Sequence, residues 1–310
     1  MKHLWQRSNL VDKLNYIFFT YITLLIVFFH NRIPNWPIWL IFNFFYLFMI
    51  ALLVHYTKPN SNKILVFFRY FYELFFISLI YKETEVFMRV YHSGWLDPLI
   101  TNIELFIFKV HPTHLLEKIA NPILTEYMKF VYFTYFLLIP FFPFYLYFTK
   151  NKKGFYHYLF TMTVAMYLCY VGFMIIPVEG PRYFWSLFQF PHKHYYFDLI
   201  RNAKGFVYTV KLKGYFFTNI VNTIMSNGDA TGACIPSAHN AAATVILFMS
   251  YKYLKKWFFL FLPLVLSIYI STVYNRYHYA TDMITGIITG LVAIYIGSIF
   301  FKKEKDFIKK

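Results

Sequence analysis

Two histidines, an aspartate, a serine and two arginines stand at spacings that suit phosphoryl chemistry. His278 and Asp282 are four residues apart, so on a helix they share a face. The carboxylate can then hold one imidazole nitrogen as N–H and leave the other to attack, as aspartate orients histidine in hydrolase triads. His239 follows Pro236 and Ser237. A helix beginning there offers free backbone N–H groups and positive potential to an anion, with Ser237 as N-cap or direct donor and His239 in the first turn. Arg182, in the run Gly180–Arg182, and Arg276, two residues before His278, are the cations of the neighbouring polar clusters, and phosphate oxygens need cationic donors. A phosphate ester needs this set: a nucleophile, an acid for the leaving alcohol, and donors for the oxygens.

Elements far apart in sequence must bring these groups together, and the composition says which. Of 310 residues 59% are hydrophobic, 24% aromatic and only 14% charged, where a soluble domain carries roughly a quarter charged. The apolar residues come in blocks long enough to cross a bilayer core of about 30 Å as helix. No alternating barrel pattern is present, so the expectation is an all-α polytopic membrane bundle of about eight helices. Spans are predicted at Leu14–Phe29, Trp36–Val54, Ile64–Tyr81, Leu124–Phe148, Phe155–Ile176, His239–Tyr251, Trp257–Tyr274 and Tyr279–Phe301. The sixth is short and contains Ala241 to Ala243, which predicts packing against other helices. The connections 82–123 and 177–238 are long and aromatic-rich and are expected along the interface. Two organisational units follow: a three-helix region, 1–81, and a catalytic membrane region, 82–310.

The charge of +16 would suggest nucleic acid in a soluble chain. Here the lysines cluster at span ends, where topology needs them, and no nucleic-acid partner is expected. Sixteen basic residues fall in the tail 1–13, the connections 58–63, 150–153 and 252–256, and the tail 302–310, whereas the short opposite connections hold only Arg32 and Arg276. Both termini are therefore predicted to be cytoplasmic, with the two long connections and all three polar clusters on the extracytoplasmic face. No cleavable signal pattern stands out, and Cys169 and Cys234 form no disulfide framework.

Pro236–His239 (PSAH) and Ser271–Gly286 (S-x-V-Y-x-x-x-H-Y-x-x-D-x-x-x-G) together resemble the type 2 phosphatidic acid phosphatase superfamily. Trp95–Asp97, Pro122–Pro140 and Ile176–Arg182 look closest to its inositol phosphorylceramide synthase-like branch. The resemblance runs from about Asp97 to the C-terminus and implies a six-helix-type phosphatase core. It implies a metal-independent mechanism without cofactor: His278 as the nucleophile that forms a phosphohistidine, Asp282 its orienting partner, His239 the acid, and Arg182 and Ser237 at the phosphate oxygens. The implied substrate is a phospholipid or sphingolipid in the bilayer, cleaved by a lipid phosphatase or passed on by a headgroup phosphotransferase. The chain departs from the pattern at Ile175 and Tyr183, where the family has lysine and proline, and at Thr272, where it has arginine. Arg276 is expected to supply the missing charge, and fewer cations make a singly charged diester a plausible substrate.

Plainer readings stand beside these. Arg182 can snorkel at the interface, Arg276 can be an ordinary loop cation, and Ser237 can be a cap alone. Arg69 with Glu73, and Glu126 with Lys129, read as structural ion pairs within spans. His192 and His194 lack the company of a metal site. A non-catalytic lipid binder or transporter of the same fold would need no nucleophile, which argues against that class.

Overall fold

The computed structural model describes residues 2–58, 61–185, 208–228 and 230–303. His192, His194 and the final lysines lie outside them. In chain order the helices are α1 (Lys2–Arg7), α2 (Leu10–Phe29), α3 (Trp36–Tyr56), α4 (Lys63–Phe87), α5 (Asp97–Phe108), α6 (Pro112–Glu117), α7 (Pro122–Phe148), α8 (Lys152–Ile175), α9 (Pro181–Phe184), α10 (Phe216–Gly228), α11 (Ala238–Tyr253), α12 (Lys255–Tyr274) and α13 (Ala280–Lys303). Among the described residues there is no strand, only an isolated bridge between Val178 and Ala233.

Local chemistry sets the helix starts. Asn9, Asn121 and Asn151 each accept a backbone N–H of the following turn as N-caps. Among the described residues seven helices are long and apolar enough to cross a membrane: α2, α3, α4, α7, α8, α12 and α13. The eighth predicted span, α11, has 16 residues, about 24 Å of helix, and sits inside the bundle against α7, α8, α12 and α13. Ala241, Ala242 and Ala243 are wholly buried there, as small residues at a helix contact should be. At Gly286 of α13 a Cβ would come within 2.5 Å of the Ser237 carbonyl oxygen, so glycine lets α13 approach the start of α11. Helix α8 is the most enclosed span and α3 the least. The exposed Ile41, Phe44, Phe45 and Phe48 of α3 suit contact with lipid tails.

Helices α2 and α4 pack on α8, and a buried polar cluster strengthens that seam. Arg69 pairs with Asp12 of α2, not with Glu73 as its spacing predicted. Glu73 instead accepts from Asn15 at 2.6 Å, and Tyr167 of α8 donates to the same asparagine. Glu126 and Lys129 likewise form no pair. Glu126 accepts the backbone N–H groups of Tyr215, Phe217 and Thr218 at the start of α10, where the helix dipole favours an anion. The first long connection contains α5 and α6, and the described part of the second contributes α9 and α10, the latter packing on α7.

Candidate active site

The end of α8, the start of α11 and the α12–α13 turn meet at one end of the bundle. Helix α5 ties them. Asp97, at its first turn, accepts from Glu179 N and Gly180 N at 2.9 Å and from Tyr279 Oη at 3.0 Å. Burial pushes this carboxyl up to about 7, against the pull of those donors. One helical face further on, Glu104 accepts from Ala280 N at 2.7 Å. Gly180 has φ +97°, and a Cβ on it would lie 2.9 Å from Cys234 Sγ. The Gly-Pro-Arg run therefore needs its glycine for both conformation and close approach.

His278 and His239 face each other, with Nε2 of the first 3.2 Å from Nδ1 of the second. The inner nitrogen of His278, Nδ1, is 3.0 Å from the Cys234 carbonyl oxygen. A carbonyl only accepts, so Nδ1 carries the proton and Nε2 of the neutral ring keeps the lone pair that points to His239. The direct orienting bond thus comes from Cys234, not from Asp282, whose Oδ2 stands 3.7 Å from Nδ1. That oxygen is taken by Cys234 Sγ–H at 2.7 Å and Tyr279 N–H at 2.8 Å. Burial, with the Asp282 carboxylate close by, pushes the Cys234 thiol well up and keeps it an S–H donor. The buried Asp282 carboxyl therefore stands beside that N–H without bonding to it.

Cys234, His278 and Asp282 are the described groups that could hold a metal, their ligand atoms lying within 4.8 Å of one another. The 2.7 Å thiol–carboxylate separation is a hydrogen bond, too short for two ligands spread tetrahedrally around one zinc ion with bonds of about 2.0–2.3 Å.

His239 has a partner the sequence did not reveal. Its Nε2 lies 2.7 Å from the hydroxyl of Tyr132 on α7, and that hydroxyl is 3.4 Å from Met225 Sδ. Arg182 shares a narrow pocket with both histidines, Tyr132, Glu179 and Tyr277, its guanidinium 4.5 Å from the Tyr183 ring centroid and 5.4 Å from that of Tyr277. Two of the predicted phosphate ligands are placed otherwise. Ser237 is buried, with its hydroxyl turned to Asn240 N and its N–H bonded to the Asp282 carbonyl, which is the geometry of a cap. Arg276 turns away from the histidines: it donates to Val210 O at 2.8 Å, stands 3.6 Å from Glu117 and lies 3.8 Å over the Tyr208 ring. Its guanidinium is thus engaged away from the two histidines. Thr272, in the position of the family arginine, is buried and accepts from Asn240.

A second, larger cavity of about 270 Å³ adjoins this pocket and shares Tyr81, Met225 and His239 with it. Its walls are apolar side chains of α4, α7, α8 and α10, among them Ile77, Phe136, Met166 and Ile224. Helices α4 and α7 touch below it, where Phe71 stacks on Phe144 at 4.6 Å.

No curated protein and no solved structure matches the chain. The sequence does match the PAP2 superfamily over residues 104–296, more than half of its length and a stretch that holds all three motifs. The chain is therefore a member of the PAP2 superfamily, the family its paired histidine motifs resemble.

Proposed function

We propose that this membrane protein is a lipid phosphatase that works through a phosphohistidine on His278. The observation that carries the reading is the facing pair of imidazoles, with the lone pair of His278 Nε2 directed at His239 Nδ1 in a pocket that also holds Arg182. In the first step Nε2 attacks phosphorus and an N–P bond forms. The P–O bond to the lipid alcohol breaks as His239 gives its proton to the departing oxygen. In the second step water attacks phosphorus, His239 takes the proton, and the N–P bond breaks to release phosphate. Arg182 holds the non-bridging oxygens, and Asp282 and the Cys234 carbonyl stabilise the imidazole as it gains positive charge. The two rings now bond to each other, so substrate binding must part them to admit a phosphoryl group.

The adjoining apolar cavity supports a lipid substrate, since it offers a hydrocarbon chain a dry site beside the acid. Residues 1–81 contribute one of its walls through α4, and we assign this region to chain accommodation and residues 82–310 to catalysis. A second reading, transfer of the phosphoryl headgroup to another alcohol as in the inositol phosphorylceramide synthase-like branch, is favoured by the loss of the family arginine at Thr272. A singly charged diester needs fewer cations.

His278→Ala should abolish turnover of a labelled lipid phosphate in detergent micelles, while the protein elutes and melts as wild type. Activity retained on every lipid that the wild type accepts would remove His278 as nucleophile. Adding an alcohol acceptor separates the two outcomes: free phosphate as sole product excludes transfer.

A further inference from the structure

Among the described residues that line the pocket of the two histidines, Arg182 is the one cation, although a phosphomonoester brings close to two negative charges. The family lysine is replaced by Ile175, whose side chain is half exposed at the outer end of α8. A second cation nonetheless arrives from another helix. Lys129 of α7 is buried, 4% exposed, and its ammonium donates to Tyr277 Oη at 2.6 Å and to Asn222 Oδ1 at 2.9 Å. Among the described residues it pairs with no carboxylate, because Glu126, one turn earlier, is spent on α10. Among the described residues the charged side chains that bear on Lys129 are the guanidinium groups of Arg182 and Arg276. Lys129 Nζ and the Arg182 guanidinium both lie against Tyr277, 4.7 and 5.4 Å from its ring centroid. Tyr277 is a wall of the pocket that contains His239 and His278.

A buried ammonium is ordinarily paired or bound to an anion, since desolvating it unpaired is costly. Here the protein supplies two neutral acceptors and more positive charge. We propose that Lys129 and Arg182 form an oxyanion-binding site around Tyr277, and that its ligand is the phosphate group of the substrate. Lys129 takes over in space the role of the lysine that the first motif lacks in sequence. This rests on the phosphatase reading, and it favours a doubly charged monoester over a diester.

The test compares Lys129→Gln, which can keep both hydrogen bonds without the charge, and Lys129→Arg with the wild type. Inorganic phosphate serves as competitive inhibitor and as a ligand in thermal melts. Loss of a charge-assisted hydrogen bond predicts that K129Q weakens phosphate inhibition and raises KM by about tenfold or more, with a smaller change in kcat. K129R should stay within about threefold of wild type. A residue that served structure alone would lower the melting midpoint without moving the inhibition constant. If K129Q does not fold, Lys129→Met takes its place, and K129R still reports on the charge. Phosphate melts in a His278→Ala background keep the two readings apart, because binding there needs Lys129 but no turnover. Equal KM and equal phosphate inhibition in K129Q and wild type, or a wild type on which phosphate has no effect, overturns the proposal.

Discussion

At the scale of single residues the site is a chain of hydrogen bonds with a direction. With His239 neutral, Tyr132 O–H donates to Nε2 and His239 Nδ1–H donates to His278 Nε2. With His239 protonated, Nε2–H donates to the tyrosine oxygen, whose own hydrogen can turn to Met225 Sδ. Both protonation states are therefore satisfied, as the acid–base role we propose for His239 requires. Tyr132→Phe removes that pivot without removing the ring. We expect kcat to fall about tenfold and the limb of the pH–rate profile that reports His239 to move. An unchanged profile would leave Tyr132 as packing. The sequence singled out His239, His278 and Asp282 because each stands in a short local motif, and the structure brings the three together. Tyr132 and Lys129 carried no such signal, since both lie on α7 and meet His239 and Tyr277 from across the bundle, and the Cys234 carbonyl, although inside the second motif, is main chain. A carbonyl has no sequence signature at all. Arg276 and Ser237 show the opposite error: residues of the right type at the right place in the motif, turned by φ +62° at Arg276 and by capping at Ser237 to other partners.

At the scale of elements the helix that matters most beyond the motifs is α5. Its Asp97 gathers three donors from the first and third motifs, and its Glu104 fixes the start of α13. The sequence offered Trp95–Asp97 only as part of a resemblance, because a single aspartate before a proline looks like any helix start. Its partners lie more than eighty residues away. Burial raises the Asp97 pKa to about 7, above the ordinary 3.8 it has in an unfolded chain. The folded state then binds the proton more tightly, so this contribution to stability is complete below about pH 4 and is lost as pH rises through about 7. The wild-type melting midpoint should accordingly decline between pH 5 and pH 8. Asp97→Asn, which cannot titrate, should start lower, because donors lose acceptors, and should show a flatter pH dependence. Parallel curves for the two proteins would place the titrating group elsewhere.

At the scale of the whole molecule, the parity of the helices decides where the motifs lie. An all-helical bundle was legible from the apolar blocks, and the short sixth helix from its alanines. Each of the three motifs stands where an odd-to-even pair of spans returns the chain to the same surface, and α11 completes the count although it is only 16 residues long. The structure brings the motifs to one end, with Lys152 at the start of α8 and Lys255 at the start of α12 on the opposite end. On charge alone we propose that the lysine-rich end faces the cytoplasm and the motif end faces outward. Both native cysteines are buried, so a membrane-impermeant maleimide should find little background, and single cysteines can be placed at will. Ser226 on α10, at the motif end, and Lys152 at the other are both exposed. We expect Ser226→Cys to label in intact cells and Lys152→Cys to label only after the membrane is opened. The reverse pattern would put the histidine pair on the cytoplasmic side. The substrate would then be drawn from the inner leaflet, and the basic connections would stand as an exception to the charge rule.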